Sequence, residues 1–356
     1  MQLRTAGILL ALVTAISGLP VETRGQAIEL KLAHPFAPDS PQGEGVAVVA
    51  DWIQAASSGE FEIEVHAGGQ LGSASEIPQL LTDGSIDLGL TFIRAFERIE
   101  PDLAVFRMPS MFSDIGTARR FQESETGRSL LDNLKAAGIK GLSYWHVGTT
   151  QVFTAKQVFT TADLKGLKIR SLPGDDQVAR SLMELGANPV PMSSAEVYTA
   201  LEAGSIDGVA TTLSGAADYD ADIYSIVNTP LSYSGAIFAS NVDAWERLTE
   251  AQKTLLVDVL EKARGVVTDE LLKSQETALR QLTGKGATII NAPATSLQTE
   301  AARTDLWAQE AAKLGVRPEV VKVASEFGGT GGGNDPCPID TCRCSDRTCA
   351  TSCCRN

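Results

Sequence analysis

Arg170 is the side chain in this sequence whose type and position point most directly to chemistry. It ends the strand-like run Leu167-Lys-Ile-Arg170 and is followed by the loop Ser171-Leu-Pro-Gly-Asp175. An arginine at a strand end presents a planar fork of N–H donors toward a cleft, a shape suited to two-point capture of a carboxylate. It could equally be paired within the chain, with Asp175 or Asp207 as partner. Catalytic sets are sparse. Of the three histidines, His66 alternates with glutamates in a strand and reads as part of a solvated face, while His34 and His146 could each reach a cleft. No G-x-S-x-G, H-E-x-x-H or phosphate-loop motif occurs. Gly43-Glu-Gly45 lacks the third glycine of a dinucleotide loop. Asp218-Tyr-Asp-Ala-Asp222 has the alternating acids of a calcium loop, but Ile223 stands where the turn glycine belongs and Thr229 where the bidentate glutamate belongs, so an acidic turn is the better reading. These residues describe a binding protein rather than an enzyme, with no metal and no cofactor.

The elements that would position Arg170 follow from hydrophobic periodicity. Ile28–Ala33 and Phe61–His66 alternate apolar and polar residues and predict strands, with a helix between them that carries Val46, Val49, Ala50 and Ile53 on one face. Ser75–Thr82 predicts a helix and Ile86–Leu90 a strand. The second half repeats the pattern: strands at Gly141–Trp145 and Leu167–Arg170, a helix over Asp175–Leu185, another over Ser194–Glu202, and a strand at Ile206–Ala210. Thr249 to about Leu282 predicts one helix long enough to span two lobes. Leu80-Leu-Thr-Asp-Gly-Ser-Ile-Asp-Leu88 echoes Ala200-Leu-Glu-Ala-Gly-Ser-Ile-Asp-Gly208. Strands and helices in alternation, used twice, imply two α/β lobes with a ligand crevice beyond the strand ends.

Composition bounds the compartment and the partners. Met1–Arg4, the apolar run Ala6–Leu19 and the small residues Gly25 and Ala27 have the layout of a secretory signal cleaved before Ile28, which implies export to the periplasm. A net charge of −14 and a pI near 4.8 argue against nucleic acid, whose capture needs clustered cations. All six cysteines fall between Cys337 and Cys354, after the glycine-rich linker Gly328–Asn334, with no C-x2-C pair and no histidine among them. The body therefore folds without disulfides, and the tail is an appendage whose pairing and purpose the sequence leaves open.

Several ordered motifs together resemble one family. Asp163-Leu-Lys-Gly-Leu-Lys-Ile-Arg170, Gly186-Ala-Asn-Pro-Val-Pro191 and Glu196-Val-Tyr-Thr-Ala-Leu-Glu-Ala-Gly-Ser-Ile-Asp-Gly208 are similar to the substrate-binding subunits of TRAP transporters, the dicarboxylate-binding type. Gly69-Gln-Leu-Gly72 with Glu76, Gly84-Ser-Ile-Asp87 and His34–Pro41 match its first lobe, and the likeness runs from about Ile28 to Leu314. The resemblance implies an α/β, two-lobed periplasmic binding protein with mixed sheets, a hinge cleft and a long lobe-spanning helix. Residues 28–148 and about 231–260 would form the first lobe, 149–230 and about 261–326 the second, after a signal at 1–27 and before a tail at 327–356. It implies a small organic acid as ligand, TRAP membrane permease subunits as partners, and Arg170 as the carboxylate anchor. A monomer is expected, with a dimer left open. A sensor protein that feeds a membrane signalling receptor would share every one of these features.

Two departures from the family's pattern bear on the ligand. A second arginine commonly follows W-x-x-G; here Trp145-His-Val-Gly148 is followed by Thr149, Thr150 and Gln151. Glu-Asn commonly follows Ile-Asp-Gly-x; here Ala210 and Thr211 stand there. A second carboxylate in a closed cleft would then be desolvated without compensation, so a monocarboxylate with hydroxyl or keto groups is expected in preference to a C4-dicarboxylate. Phe36, Trp145, Tyr233 and Phe238 could wall the cleft or be ordinary core. Glu76 could accept from a ligand hydroxyl or a bridging water, or simply place charge at a helix start.

Overall fold

The computed structural model describes residues 27–327 except 110, 113, 174, 220 and 291–299. The signal segment, part of the acidic turn and the linker with its cysteine tail lie outside the described residues.

The alternating runs form strands as expected: β1 (Ile28–Ala33) and β2 (Phe61–His66) flank helix α1 (Pro41–Ala56), whose first turn is capped by the Ser40 side chain accepting from the Gly43 N–H. Helix α2 (Ile77–Thr82) leads to β3 (Leu88–Phe92), and two short 3-10 turns then lead to α3 (Ile115–Gln122) and α4 (Glu125–Asn133). Strand β4 (Ile139–Thr154) enters the second half, with β5 (Lys168–Ser171), α5 (Asp176–Glu184), β6 (Asn188–Pro191), α6 (Val197–Glu202), β7 (Gly208–Thr211) and α7 (Leu213–Asp218). The return strand β8 (Ser225–Asn241) is followed by α8 (Val242–Glu246), α9 (Glu250–Gly284), β9 (Thr288–Ile290), α10 (Glu300–Leu314) and α11 (Pro318–Phe327).

One mixed sheet runs β2-β1-β3-β8-β4-β7-β5-β6, with β9 beside β8. Strands β1, β2 and β3 are parallel, as are β5, β6 and β7. Between these sets β4 and β8 pair antiparallel to each other and pass through both lobes. Their pairing shifts register between His146 and Gly148 and again between Thr150 and Val152, which bends the ladder where one lobe gives way to the other. The sequence reading shortened β4 to Gly141–Trp145 and did not find β8, because the crossing segments are rich in glycine and hydroxyl residues and lose the apolar alternation.

The internal echo is a shared structural device. Gly84 and Gly204, at φ of 71° and 65°, supply the left-handed turn that ends each helix. The aspartate that follows each then ties the next strand to its neighbour. Asp87 Oδ2 accepts from the Lys31 N–H at 2.9 Å while its own N–H donates to the Lys31 carbonyl. Asp207 Oδ2 accepts from the Lys168 N–H at 2.8 Å while its N–H donates to the Lys168 carbonyl.

Apolar clusters cover both faces of the sheet in each lobe. In the first lobe one cluster gathers Phe106, Phe112, Phe121 and Tyr144, and the other Val49, Trp145, Phe238 and Leu260. In the second, Phe153, Val197 and Leu201 lie on one face and Ile169, Val178 and Leu182 on the other. Helix α9 joins the lobes, burying Leu256 to Val267 in the first and Ala278 and Leu282 in the second. Its contact with α1 is close: a Cβ on Gly45 would lie 2.1 Å from Val267 Cγ2. Helices α10 and α11, which the sequence grouped with the second lobe, pack on the first through Trp307, Ala311, Val320 and Ala324. The Trp307 indole N–H reaches back to the Pro109 carbonyl at 2.9 Å.

Candidate functional site

The lobes meet around a cavity of about 210 Å³. The carboxyl ends of parallel strands supply its walls: Phe92 at the end of β3 with Ile93 and Arg94 after it, Leu172 and Asp175 after β5, and Ala210, Thr211 and Thr212 at the end of β7. This is where ligands of open α/β sheets bind. Four consecutive β8 residues, Ser232 to Gly235, also line it. Successive strand residues point to opposite faces, so all four can contribute only because the bent backbone itself forms part of the wall.

Four charged side chains line the cavity, Arg94, Glu97, Arg107 and Asp175, and of these the sequence had drawn attention only to Asp175, as a partner for Arg170. Arg107 Nε donates to both carboxylate oxygens of Glu97 at 2.8 and 2.9 Å. Burial pushes the Glu97 carboxyl above its usual range, and Asp175 adds to that, against the pull of Arg107 and Arg94. Arg94 lies exposed at the rim, its guanidinium 5.4 Å from the Phe92 ring centre. Asp175 caps helix α5, accepting from the Val178 N–H at 3.3 Å. Two arginines and two acids cancel, so these side chains carry no net charge. Arg94 and Arg107 lie in the short 3-10 turns after β3, Glu97 directly follows the first of them, and Asp175 caps α5; turns too short for a periodic pattern give the first three no sequence signal.

Arg170 stands apart from that balance. It is 1% exposed on β5, beside Val209 of β7 and Val190 of β6, and does not line the cavity. Its Nε donates to the Met192 carbonyl at 2.9 Å and its Nη2 to Ser194 Oγ at 3.0 Å. Neither acid considered as a partner reaches it: Asp175 caps α5, and Asp207 holds the Lys168 N–H and pairs with Lys156 Nζ at 2.6 Å. Among the described residues this buried guanidinium meets neutral acceptors only. Close by on the same strand, the Ser171 hydroxyl is buried without a partner among the described residues.

The other residues singled out from the sequence divide. Thr150, Thr211 and Tyr233 line the cavity together. Thr149 and Gln151 flank Thr150 on β4 and do not, and the Gln151 side-chain N–H instead donates to Asn228 Oδ1 at 3.2 Å. Trp145 is fully buried and packs on Phe238, ring centres 5.8 Å apart, in a first-lobe cluster; strand alternation sends it to the face opposite Tyr144 and His146. Phe36 packs behind the cavity-lining Phe92 at 5.1 Å. All three are core residues and not cleft walls. Glu76 is exposed ahead of α2, where its carboxylate accepts from the Ser73 N–H and hydroxyl at 2.8 and 2.6 Å; those bonds hold its pKa below the usual range. Its work is local to that turn.

Behind Tyr233 lies a buried polar chain. Gln122 Nε2 donates to the Tyr233 hydroxyl oxygen at 3.1 Å, and His146 Nδ1 is 2.6 Å from the same atom. Burial, aided by the charges of Arg264 and Arg119, lowers the His146 pKa to about 3, so the ring is neutral. Burial pushes the Tyr233 phenol well above its ordinary value.

Comparison with known proteins places this geometry. Residues 32–313 match the DctP family, bacterial extracellular solute-binding protein family 7. The chain is 31% identical over 188 residues to the C4-dicarboxylate-binding periplasmic protein DctP of Vibrio cholerae, spanning 52% of this chain and 56% of that one. It is 34% identical over 158 residues to the 2,3-diketo-L-gulonate-binding periplasmic protein YiaO of Escherichia coli, spanning 44% and 48%. In three dimensions it resembles a TRAP periplasmic solute-binding protein of Ochrobactrum anthropi at a TM-score of 0.76 and 23% identity, covering 85% of this chain and 95% of that one.

Proposed function

We propose a ligand class from the premise that this chain belongs to the DctP family of bacterial extracellular solute-binding proteins, the periplasmic receptors of TRAP transporters. It is a receptor for a small organic acid, not an enzyme. The acid is a monocarboxylate bearing hydroxyl or keto groups, taken between the lobes and handed to the membrane permease.

The observation that carries this reading is the buried Arg170, whose bonding partners among the described residues are all uncharged. A desolvated cation without a counter-charge is costly, and an incoming carboxylate offsets that cost. Closing the second lobe onto the first would bring ligand and guanidinium together. The charges that line the cavity already cancel in sign, so one ligand carboxylate suits one uncompensated arginine. Thr150, Thr211, Thr212 and Ser232 add hydroxyls for the ligand's oxygens. The two sequence relatives bracket the choice: one is a C4-dicarboxylate binder, the other a binder of a diketo sugar acid. The cavity's charge balance favours the second kind.

Export completes the reading: the first 27 residues act as a signal removed before Ile28. N-terminal sequencing of the exported protein is expected to begin at or next to Ile28, and an intact Met1 in the periplasm would refute the cleavage.

A thermal-shift panel on residues 28–327 tests the ligand, with pyruvate, lactate, 2,3-diketogulonate and succinate as probes. A ligand at 100 times its Kd stabilises the folded state by about 2.7 kcal/mol, which such a melt resolves. A monocarboxylate is expected to give the largest shift. Tighter binding of succinate would overturn the monocarboxylate assignment, and silence from every acid would overturn the ligand class.

A further inference from the structure

Tyr233 reaches the cavity with a hydroxyl that two buried side chains hold from behind. A phenol has one proton to give, and where it points depends on which tautomer of His146 stands beside it. Gln122 uses one amide N–H on the phenol oxygen; the flipped amide would strand both N–H groups, whereas the observed orientation pairs one of them and leaves the acceptor Oε1 without a partner among the described residues. Orphaned donors are rarer in proteins than under-used acceptors. The histidine is read from its protein partner instead, since Nε2 is not among the atoms that are both buried and without one. The ring is 1% exposed and neutral, so it carries a single N–H, and among the described residues Nε2 meets no acceptor. Protonation at Nδ1 spends that N–H on Tyr233; protonation at Nε2 would leave it without a protein partner.

With donors from both Gln122 and His146 on its oxygen, the tyrosine has only the cavity left for its own proton. Gly235 keeps that direction open: a Cβ there would lie 3.0 Å from the Tyr233 hydroxyl and 2.8 Å from Ile93 Cδ1.

We propose that Tyr233 is a preset hydrogen-bond donor to the ligand, and that His146, as its Nδ1–H tautomer, and Gln122 are positioning residues that turn its proton into the cavity. The inference rests on the cavity being the organic-acid site. It specifies that the ligand places an acceptor oxygen, of a keto group or a carboxylate, against Tyr233, a place where a hydroxyl that must donate is disfavoured.

Nitrogen-15 NMR of the histidines in the unliganded protein at neutral pH reads the tautomer directly, with the His146 signals identified by their loss in His146→Gln. Protonation at Nδ1 is expected, and protonation at Nε2 overturns the proposal. Tyr233→Phe removes the acceptor and is expected to shift His146 toward the Nε2–H form; a tautomer indifferent to that change would mean that the two rings merely pack, and overturns it too. Pyruvate titration gives the functional arm. Tyr233→Phe is expected to weaken pyruvate binding about tenfold, the loss of one net hydrogen bond. Unchanged pyruvate affinity in Tyr233→Phe, with binding lost in Arg170→Ala, overturns this inference and leaves the carboxylate reading standing. Unchanged affinity in both variants overturns the two together.

Discussion

Arg170 donates to Ser194 Oγ at 3.0 Å, and among the described residues that hydroxyl and the Met192 carbonyl are its only hydrogen-bond partners. The bonds hold the fork in place without neutralising it. Replacing Arg170 with Ala removes a charge-assisted contact to the ligand carboxylate worth about 2–5 kcal/mol. Isothermal titration with the acid that gives the largest thermal shift is therefore expected to show a loss of tens- to thousands-fold. Arg170→Lys keeps the charge but not the two-point geometry and should fall between Ala and the parent chain. Equal affinity in Ala and parent would remove Arg170 from the site.

Glu97 is the acid that silences Arg107, with both of its oxygens at 2.9 Å or less from Nε. Glu97→Gln frees a cation inside the cavity. If charge balance is what disfavours a second carboxylate, succinate affinity should rise roughly tenfold relative to pyruvate. Competition titration of the variant checks this; an unchanged preference would show that the cavity's shape, and not its charge, selects the acid.

Asp207 is expected to stabilise the second lobe in a pH-dependent way. Burial pushes its carboxyl up, but Lys156, the Lys168 N–H and the Lys168 charge together outweigh burial and hold it below the ordinary aspartate value. A carboxyl whose folded-state pKa is depressed stabilises the fold above its unfolded pKa of about 3.9 and loses that contribution as the pH falls through the folded value. Asp207→Asn should therefore lower the urea midpoint at pH 7, and the gap to the parent chain should close below about pH 4. Asp207→Ala also strands the Lys168 N–H and should cost about 1–3 kcal/mol at pH 7. A gap independent of pH would show that the carboxylate's charge contributes nothing.

Gly45 lets α1 pass close to α9. A methyl there would meet Val267 Cγ2 at 2.1 Å and Trp145 Cζ3 at 3.1 Å, so Gly45→Ala overpacks the first-lobe core and should cost about 1–3 kcal/mol. A melting temperature that holds or rises would mean that the helices separate freely at this point. Val267→Ala in the same chain is expected to restore part of the loss.

Much of this protein was legible in the chain because the signals are local. The alternation of Phe61–His66, the Thr249 cap ahead of the 35-residue helix α9, and the repeated Gly-Ser-Ile-Asp at 84–87 and 204–207 each mark an element whose hydrogen bonds are made by near neighbours or by one parallel partner. Arg170 stood out in the sequence as the cation that ends the run Leu167-Lys-Ile-Arg170, and the structure buries it on β5. The family motifs at 163–208 then gave that cation a role to test.

What only the tertiary structure decided depends on which face a strand turns and on what a loop meets. Trp145 and Tyr233 are both aromatic residues on crossing strands, yet pleating buries the first against Phe238 and opens the second to the cavity. Register at the β4–β8 bulges sets that difference, and register is a pairing between segments some ninety residues apart (Thr150 opposite Ser232, for example), not a property of either one. The charges of Arg94, Glu97 and Arg107, close in sequence, meet Asp175 from the other lobe, and the Gln122–Tyr233–His146 chain likewise joins residues far apart in sequence. No spacing rule links them; the closing of two lobes on one sheet does.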